Sequence, residues 1–183
     1  MHPTTSPSHL GNKILIIGCA GSGKTTLSKQ LSITTGLPII HMDRHFWKKN
    51  WVRTADEAWF TVVADLCKQP TWIMDGNYTK TLPLRLPHAS AVIFLDTPRW
   101  KCLLRVVLRR FRFAHNKRRD DIPTHCKERM RLAFYQWIWH YPKRSRPQII
   151  AQINSFHGSI RHITSSSDLH QLLSSLPHQG ETT

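Results

Sequence analysis

Eight consecutive residues carry the sharpest chemical signal in the chain: Gly18-Cys19-Ala20-Gly21-Ser22-Gly23-Lys24-Thr25. Glycines at these places let successive backbone N–H groups turn inward around an anion, and a following helix adds the partial positive charge of its N-terminus. In this spacing the lysine spans the β- and γ-phosphates of a nucleoside triphosphate, and the hydroxyl of the next residue ligates Mg²⁺. The pattern therefore marks Gly18, Gly21, Ser22, Gly23, Lys24, Thr25 and Thr26 as candidate cofactor contacts, with ATP and Mg²⁺ as the expected cofactors.

Such a cradle works only between a strand and a helix, and both are legible. Lys13 to Gly18, KILIIG, is a short apolar run that fits a buried central strand. After the cradle, Leu27 and Leu31 share one helical face until Gly36 and Pro38 stop the helix. LPIIHMD predicts a second strand ending at Asp43, TWIMDG a third, AVIFLD a fourth and RHIT near residue 162 a fifth. Residues 54–68 predict an amphipathic helix with Thr54 as its cap. Two helices fall between strands four and five. One carries Trp100, Leu103, Leu104, Val107, Leu108 and Phe111 at helical spacing; the other carries Met130, Phe134, Trp137, Ile138 and Tyr141 and reads as core. Strands alternating with helices imply a parallel sheet covered on both faces, an α/β fold. Residues 1–11 and 178–183 read as flexible tails around one domain, 12–177.

Charge narrows the possible partners. The 183 residues hold 26 Lys and Arg against 11 Asp and Glu, a net charge of +15. Residues 99–146 contain 15 basic and 3 acidic side chains, so they hold 12 of those charges. An excess of this size attracts polyanions: nucleotides, phosphorylated metabolites, nucleic acid or anionic lipid. The longest uninterrupted apolar runs, Ile14 to Ile17 and Ala91 to Leu95, are far short of the roughly 20 residues of a membrane-spanning helix. The N-terminal stretch MHPTTSPSHLGNK lacks the apolar region of a secretory signal. Cys19, Cys67, Cys102 and Cys126 stand far apart with no CxxC pair, as expected of reduced thiols in the cytoplasm.

The acids narrow the reaction. Asp75 is followed by Gly76 and Asp96 by Thr97, so neither strand end supplies the adjacent Glu that polarises water in many nucleotide hydrolases. Asn116-Lys-Arg-Arg is not the NKxD motif by which GTPases read guanine. Transfer to an acceptor other than water is favoured, and positioning with charge neutralisation is enough to drive it.

Taken together, IIGCAGSGKTTL, GLPIIHMD with FWKKNWV, WIMDGNY, VIFLDTPRWKCLLRVVLRR and FYQWIWHYPKRSRP resemble the adenylate-kinase-like branch of P-loop kinases. Over about residues 13–150 the chain is similar, more narrowly, to the bacterial DNA topology modulation proteins. The resemblance implies a three-layer P-loop fold with a five-stranded parallel sheet of order 2-3-1-4-5 and a short arginine-rich lid at about 114–123. It implies Lys24, Arg105, Arg109, Arg118 and Arg129 as catalytic cations, the last two from the lid signature RRDD and the segment after it. It favours Asp75 over Asp96 as the Mg²⁺ anchor beside Thr25, and it makes Asp43 the orienter or base of an acceptor hydroxyl, with Arg44 and His45 near an acceptor phosphate. Asn77-Tyr78-Thr79-Lys80 departs from the Phe-Pro-Arg that adenylate kinases carry at the acceptor nucleotide, and Arg85 is a candidate replacement for that arginine. Phe46, Trp47 and Trp51 suit either stacking on a flat acceptor or covering the core. The expected activity is γ-phosphoryl transfer to a nucleoside, nucleotide or other small hydroxylated acceptor. The alternative is a nucleic-acid-associated nucleotide-binding protein.

Overall fold

The segments expected as strands form the centre of the molecule. In the computed structural model, which describes residues 10–113, 123 and 132–176, they become β1 (Lys13–Gly18), β2 (Ile39–His41), β5 (Trp72–Asp75), β6 (Ala91–Leu95) and β7 (Ser159–Ile163). All neighbours are parallel, in the order β2-β5-β1-β6-β7. Two two-residue strands, β3 (Trp47–Lys48) and β4 (Val52–Arg53), form a separate antiparallel hairpin. Without that hairpin the sheet reads 2-3-1-4-5, as the resemblance implies.

Alternate side chains of β1 feed two cores. Leu15 and Ile17 pack with Trp72, Met74, Val92 and Phe94, beneath helix α3 (Asp56–Lys68), α5 (Arg99–Phe113) and α6 (Leu132–Ile153). Ile14 and Ile16 pack with Ile73, Ile93 and Leu95, beneath α1 (Lys24–Thr35) and α7 (Ser166–Ser174). This two-sided burial follows from a central parallel strand having helices over both faces. Leu10 is buried in the second core, so packing reaches back into the segment expected to be a tail.

Four local expectations change. β2 stops at His41, and Asp43 sits in the first turn of a short helix, α2 (Met42–Phe46). α3 starts at Asp56 with Ala55 before it; Thr54 instead donates its hydroxyl to the Phe46 carbonyl at 2.6 Å and is buried there. α6 runs through Pro142 and Pro147, each of which removes an N–H donor. Burial of Ile138, Tyr141, Ile149 and Ile153 along one side holds it together. Finally, the apolar residues at helical spacing on α5 do not all turn inward: Leu103 and Val107 are half-buried, Leu103 against the first core. Trp100, Leu104, Leu108 and Phe111 are exposed, while Cys102 and Val106 are buried. The expected lid at 114–123, with Arg118, and Arg129 beyond it lie outside the described residues apart from Pro123.

Asp96, just beyond β6, ties α6 to the sheet. Arg146 of α6 grips both its carboxylate oxygens at 2.7–3.0 Å, and His162 of β7 lies 2.9 Å away. Burial pushes this carboxyl up, but the hydrogen bonds from Arg146 and His162 outweigh it and hold it below the usual range. A depressed carboxyl stabilises the fold above the unfolded value near ~3.9 and loses that contribution as the pH falls below it. Asp96→Asn is expected to cost about 1–2 kcal/mol at pH 7, limited by water around the partly exposed Arg146, and to flatten the acid limb of stability below about pH 4. Urea melts of both proteins across pH 3–7 measure this.

Candidate active site

Gly18 ends β1 and opens a loop that closes onto α1. Gly23 precedes that helix in the left-handed region at φ 107°, with no side chain capping the helix. The first-turn N–H groups of α1 therefore have no side-chain acceptor from Gly23, and the buried Ser22 hydroxyl has no hydrogen-bond partner. An anion held here would satisfy both, so the loop fits the phosphates of a nucleotide. Lys24 bends over the loop and donates to the carbonyls of Gly18 and Cys19 at 3.0 and 2.8 Å. Thr25 is half-buried in the first turn and Thr26 exposed beside it.

Helix α5 meets this loop backbone to backbone. Gly21 has φ 80°, and a Cβ there would lie 2.4 Å from the Cys102 carbonyl oxygen and 3.0 Å from Val106. This approach decides which face of α5 turns inward: Cys102 and Val106 fit against a glycine, whereas Trp100 or Leu104 would hold the helix away. Cys19 and Cys102 hydrogen-bond through their side chains at the same contact, and that bond and burial push the Cys19 thiol up. Arg105, on the flank of the inward face, reaches the Ser22 carbonyl at 3.2 Å, and Thr97 donates to that oxygen from the loop before α5. Arg105 thus stands at the cradle mouth, as expected. Arg109 follows one turn later, half-buried.

Asp75 reaches the other side of the cradle from the end of β5. The carboxylate is 7% exposed, 3.1 Å from Nδ1 of His41 and 3.4 Å from the Ser28 hydroxyl. That hydroxyl also lies 3.0 Å from the Thr25 carbonyl, placing Asp75 beside the first turn of α1. Both partners escaped the sequence reading. His41 meets Asp75 only through the pairing of β2 with β5, which leaves no local signal, whereas Ser28 follows Thr25 by three residues, a helical spacing visible in the sequence. Asp96, the rival acid, is held by Arg146 and His162 instead.

Asp43 is fixed by a residue sequence reasoning also missed: Tyr78 donates its hydroxyl to Oδ1. Burial and the nearby Asp43 charge push the phenol up, so it stays a neutral donor. Tyr78 is aimed by Arg85, which is fully buried and donates to the carbonyls of Gly76, Asn77, Tyr78 and Thr81. Burial lowers this guanidinium to about 10. Arg85 is accordingly inside the loop it organises, which corrects its candidacy as an acceptor-binding arginine. Gly76 completes the arrangement, since a Cβ there would come within 2.6 Å of Met42 in α2.

The structure therefore gathers Lys24, Thr25, Asp75 and Arg105 around one loop, with Asp43 joined through Tyr78, three residues beyond Asp75. The sequence matches no protein-family model and no curated protein. The fold does have solved likenesses. Shikimate kinase from Acinetobacter baumannii, in complex with shikimate, superposes with a TM-score of 0.58 at 18% identity, covering 93% of this chain and 90% of that one. A gluconokinase from Sinorhizobium meliloti 1021 gives a TM-score of 0.55 at 14% identity, covering 91% and 92%. The chain has the P-loop α/β fold. At these identities the likeness concerns the fold.

Because Gly21 has no room for a methyl group, Gly21→Ala is expected to separate the loop from α5 and weaken binding of a fluorescent ATP analogue by at least about tenfold. Fluorescence anisotropy in the presence of Mg²⁺ measures it, with circular dichroism confirming that the variant is folded.

Proposed function

We propose that the protein is an ATP-dependent kinase that passes the γ-phosphoryl group to a small hydroxylated acceptor. The observation that carries this reading is the convergence of a P-loop, an arginine from α5 and a buried Asp beside the first turn of α1. In it, Lys24 exchanges the Gly18 and Cys19 carbonyls for phosphate oxygens, and the loop N–H groups hold the remaining negative charge. Arg105, with Arg109, Arg118 and Arg129, neutralises charge on the transferring group. Thr25 and Asp75 would hold Mg²⁺, Asp75 through water, with His41 and Ser28 orienting its carboxylate. When bound, the metal would screen the phosphate oxygens. Asp43 accepts the acceptor's hydroxyl proton or orients it, and the Tyr78 hydrogen bond keeps one of its oxygens turned away from that task.

The adenylate-kinase-like subtype and the resemblance to DNA topology modulation proteins rest on the sequence segments. What favours a kinase over a nucleic-acid binder is how the arginines are engaged. Arg146 is paired with Asp96, Arg105 reaches the P-loop, and Arg99 stacks 3.9 Å from the Trp139 ring while donating to its carbonyl. These three cations are engaged within the protein and add little to a surface open to a phosphate backbone.

ADP release screened against nucleosides, nucleoside monophosphates and sugars tests the proposal. Turnover stimulated by one acceptor class and abolished in Lys24→Met supports it. Stimulation by DNA alone, with affinity falling steeply with salt, would contradict it. Arg105→Ala is expected to lower kcat by about 10²-fold with a smaller effect on ATP affinity, and steady-state kinetics at saturating acceptor would show the split.

A further inference from the structure

Trp51 holds a backbone position that an aromatic side chain seldom takes. The β3–β4 turn closes with the Val52 N–H on the Lys49 carbonyl. Its two central residues, Asn50 and Trp51, have φ of 61° and 62°. Two consecutive left-handed residues are the pattern of a type I′ turn, in which asparagine suits the first place and glycine the second. A Cβ at the second place crowds the following carbonyl, so tryptophan strains this turn where glycine would relax it.

The ring belongs to a chain of aromatic contacts. Trp51 meets Trp47 edge-on at 5.4 Å, Trp47 meets Phe46 at 4.8 Å, and Phe46 meets Tyr78 at 4.8 Å, which in turn donates to Asp43. Part of it is core: Phe46 is 6% exposed, and Trp59, packed against it at 5.0 Å, is 3% exposed. Trp47 and Trp51 are only half-buried. A ring that served only to fill the core would sit with Phe46 and Trp59. This one is half-buried, in a strained turn, on the chain of contacts that runs to Tyr78, the hydrogen-bond partner of Asp43. From residue 44 to residue 53 the segment also carries Arg44, Lys48, Lys49 and Arg53 and no acid.

We propose that Trp51, backed by Trp47, is the specificity-determining surface of the acceptor site and stacks on a planar heteroaromatic ring. This rests on the kinase reading, with Asp43 facing the acceptor, and narrows it from hydroxylated small molecules to nucleoside-like acceptors. Tryptophan offers a large, stiff face at little conformational cost, and stacking on it tolerates different bases. A saturated sugar presents no such face.

The test is calorimetric titration of wild type, Trp51→Gly and Trp51→Phe with adenosine, guanosine, cytidine and thymidine, and with glucose and gluconate as non-planar controls. At least one nucleoside should bind the wild type. Trp51→Gly should weaken that binding about tenfold or more, and Trp51→Phe should keep it within about threefold. Affinity for the fluorescent ATP analogue should not change, and the Tm of Trp51→Gly should equal or exceed that of the wild type because the turn relaxes. The proposal is overturned if no nucleoside binds at millimolar concentration or if Trp51→Gly binds nucleosides as well as the wild type. It is equally overturned if that variant melts more than about 5 °C lower and loses ATP affinity too, which would make the ring a packing element. Binding is read without turnover, so the two readings fail separately. A chain that stacks nucleosides but transfers nothing loses the kinase assignment alone, and one that phosphorylates only gluconate loses Trp51.

Discussion

One backbone-to-backbone approach sets the chemistry of this molecule. Helix α5 lies with its Cys102 carbonyl against Gly21, where even one methyl carbon would not fit. Because the helix backbone touches the loop backbone, Arg105 needs no long reach to stand at the mouth of the cradle. The same contact buries Cys19 against Cys102 and fixes the pitch at which α5 leaves the sheet. An interior packed this tightly transmits displacement instead of absorbing it, so the loop and the first charged turn of α5 behave as one part.

A second organising element is the pair of acids at the C-terminal ends of two neighbouring strands. Asp75 ends β5 and takes its partners from β2 and α1, whereas Asp43 lies just past β2 and takes its partner from the loop after β5. The partners thus cross between neighbouring strands. Arg85 makes the crossing possible by satisfying four loop carbonyls from inside the protein, without a carboxylate at hydrogen-bonding distance. A buried cation is costly unless its donors are satisfied, and backbone oxygens take four of the five here.

Much of this was legible in one dimension. The cradle is a fixed spacing of residue types, four of the five sheet strands are apolar runs with turn residues between them, and Gly36 ends α1 in the left-handed conformation that glycine permits. These features depend on neighbours in sequence. Others do not. Helical spacing groups Trp100, Leu104 and Leu108 with Leu103 and Val107, but the residues buried against Gly21 are Cys102 and Val106. Thr54 resembles a helix cap by type and position, yet the Phe46 carbonyl takes its hydroxyl. His41, Tyr78 and Arg85 carry no local signature, because each acts on a partner brought near by strand pairing or by a folded loop.

The central claim is that Lys24 and the loop N–H groups form a receptacle for a triphosphate with Arg105 at its mouth. A crystal structure with Mg²⁺ and a non-hydrolysable ATP analogue tests it most directly. The β-phosphate should lie within hydrogen-bonding distance of the N–H groups from Gly21 to Thr25, with Lys24 Nζ moved off the Gly18 and Cys19 carbonyls and Arg105 turned toward the γ-phosphate. An analogue bound elsewhere, with Lys24 still on those carbonyls, would contradict the account.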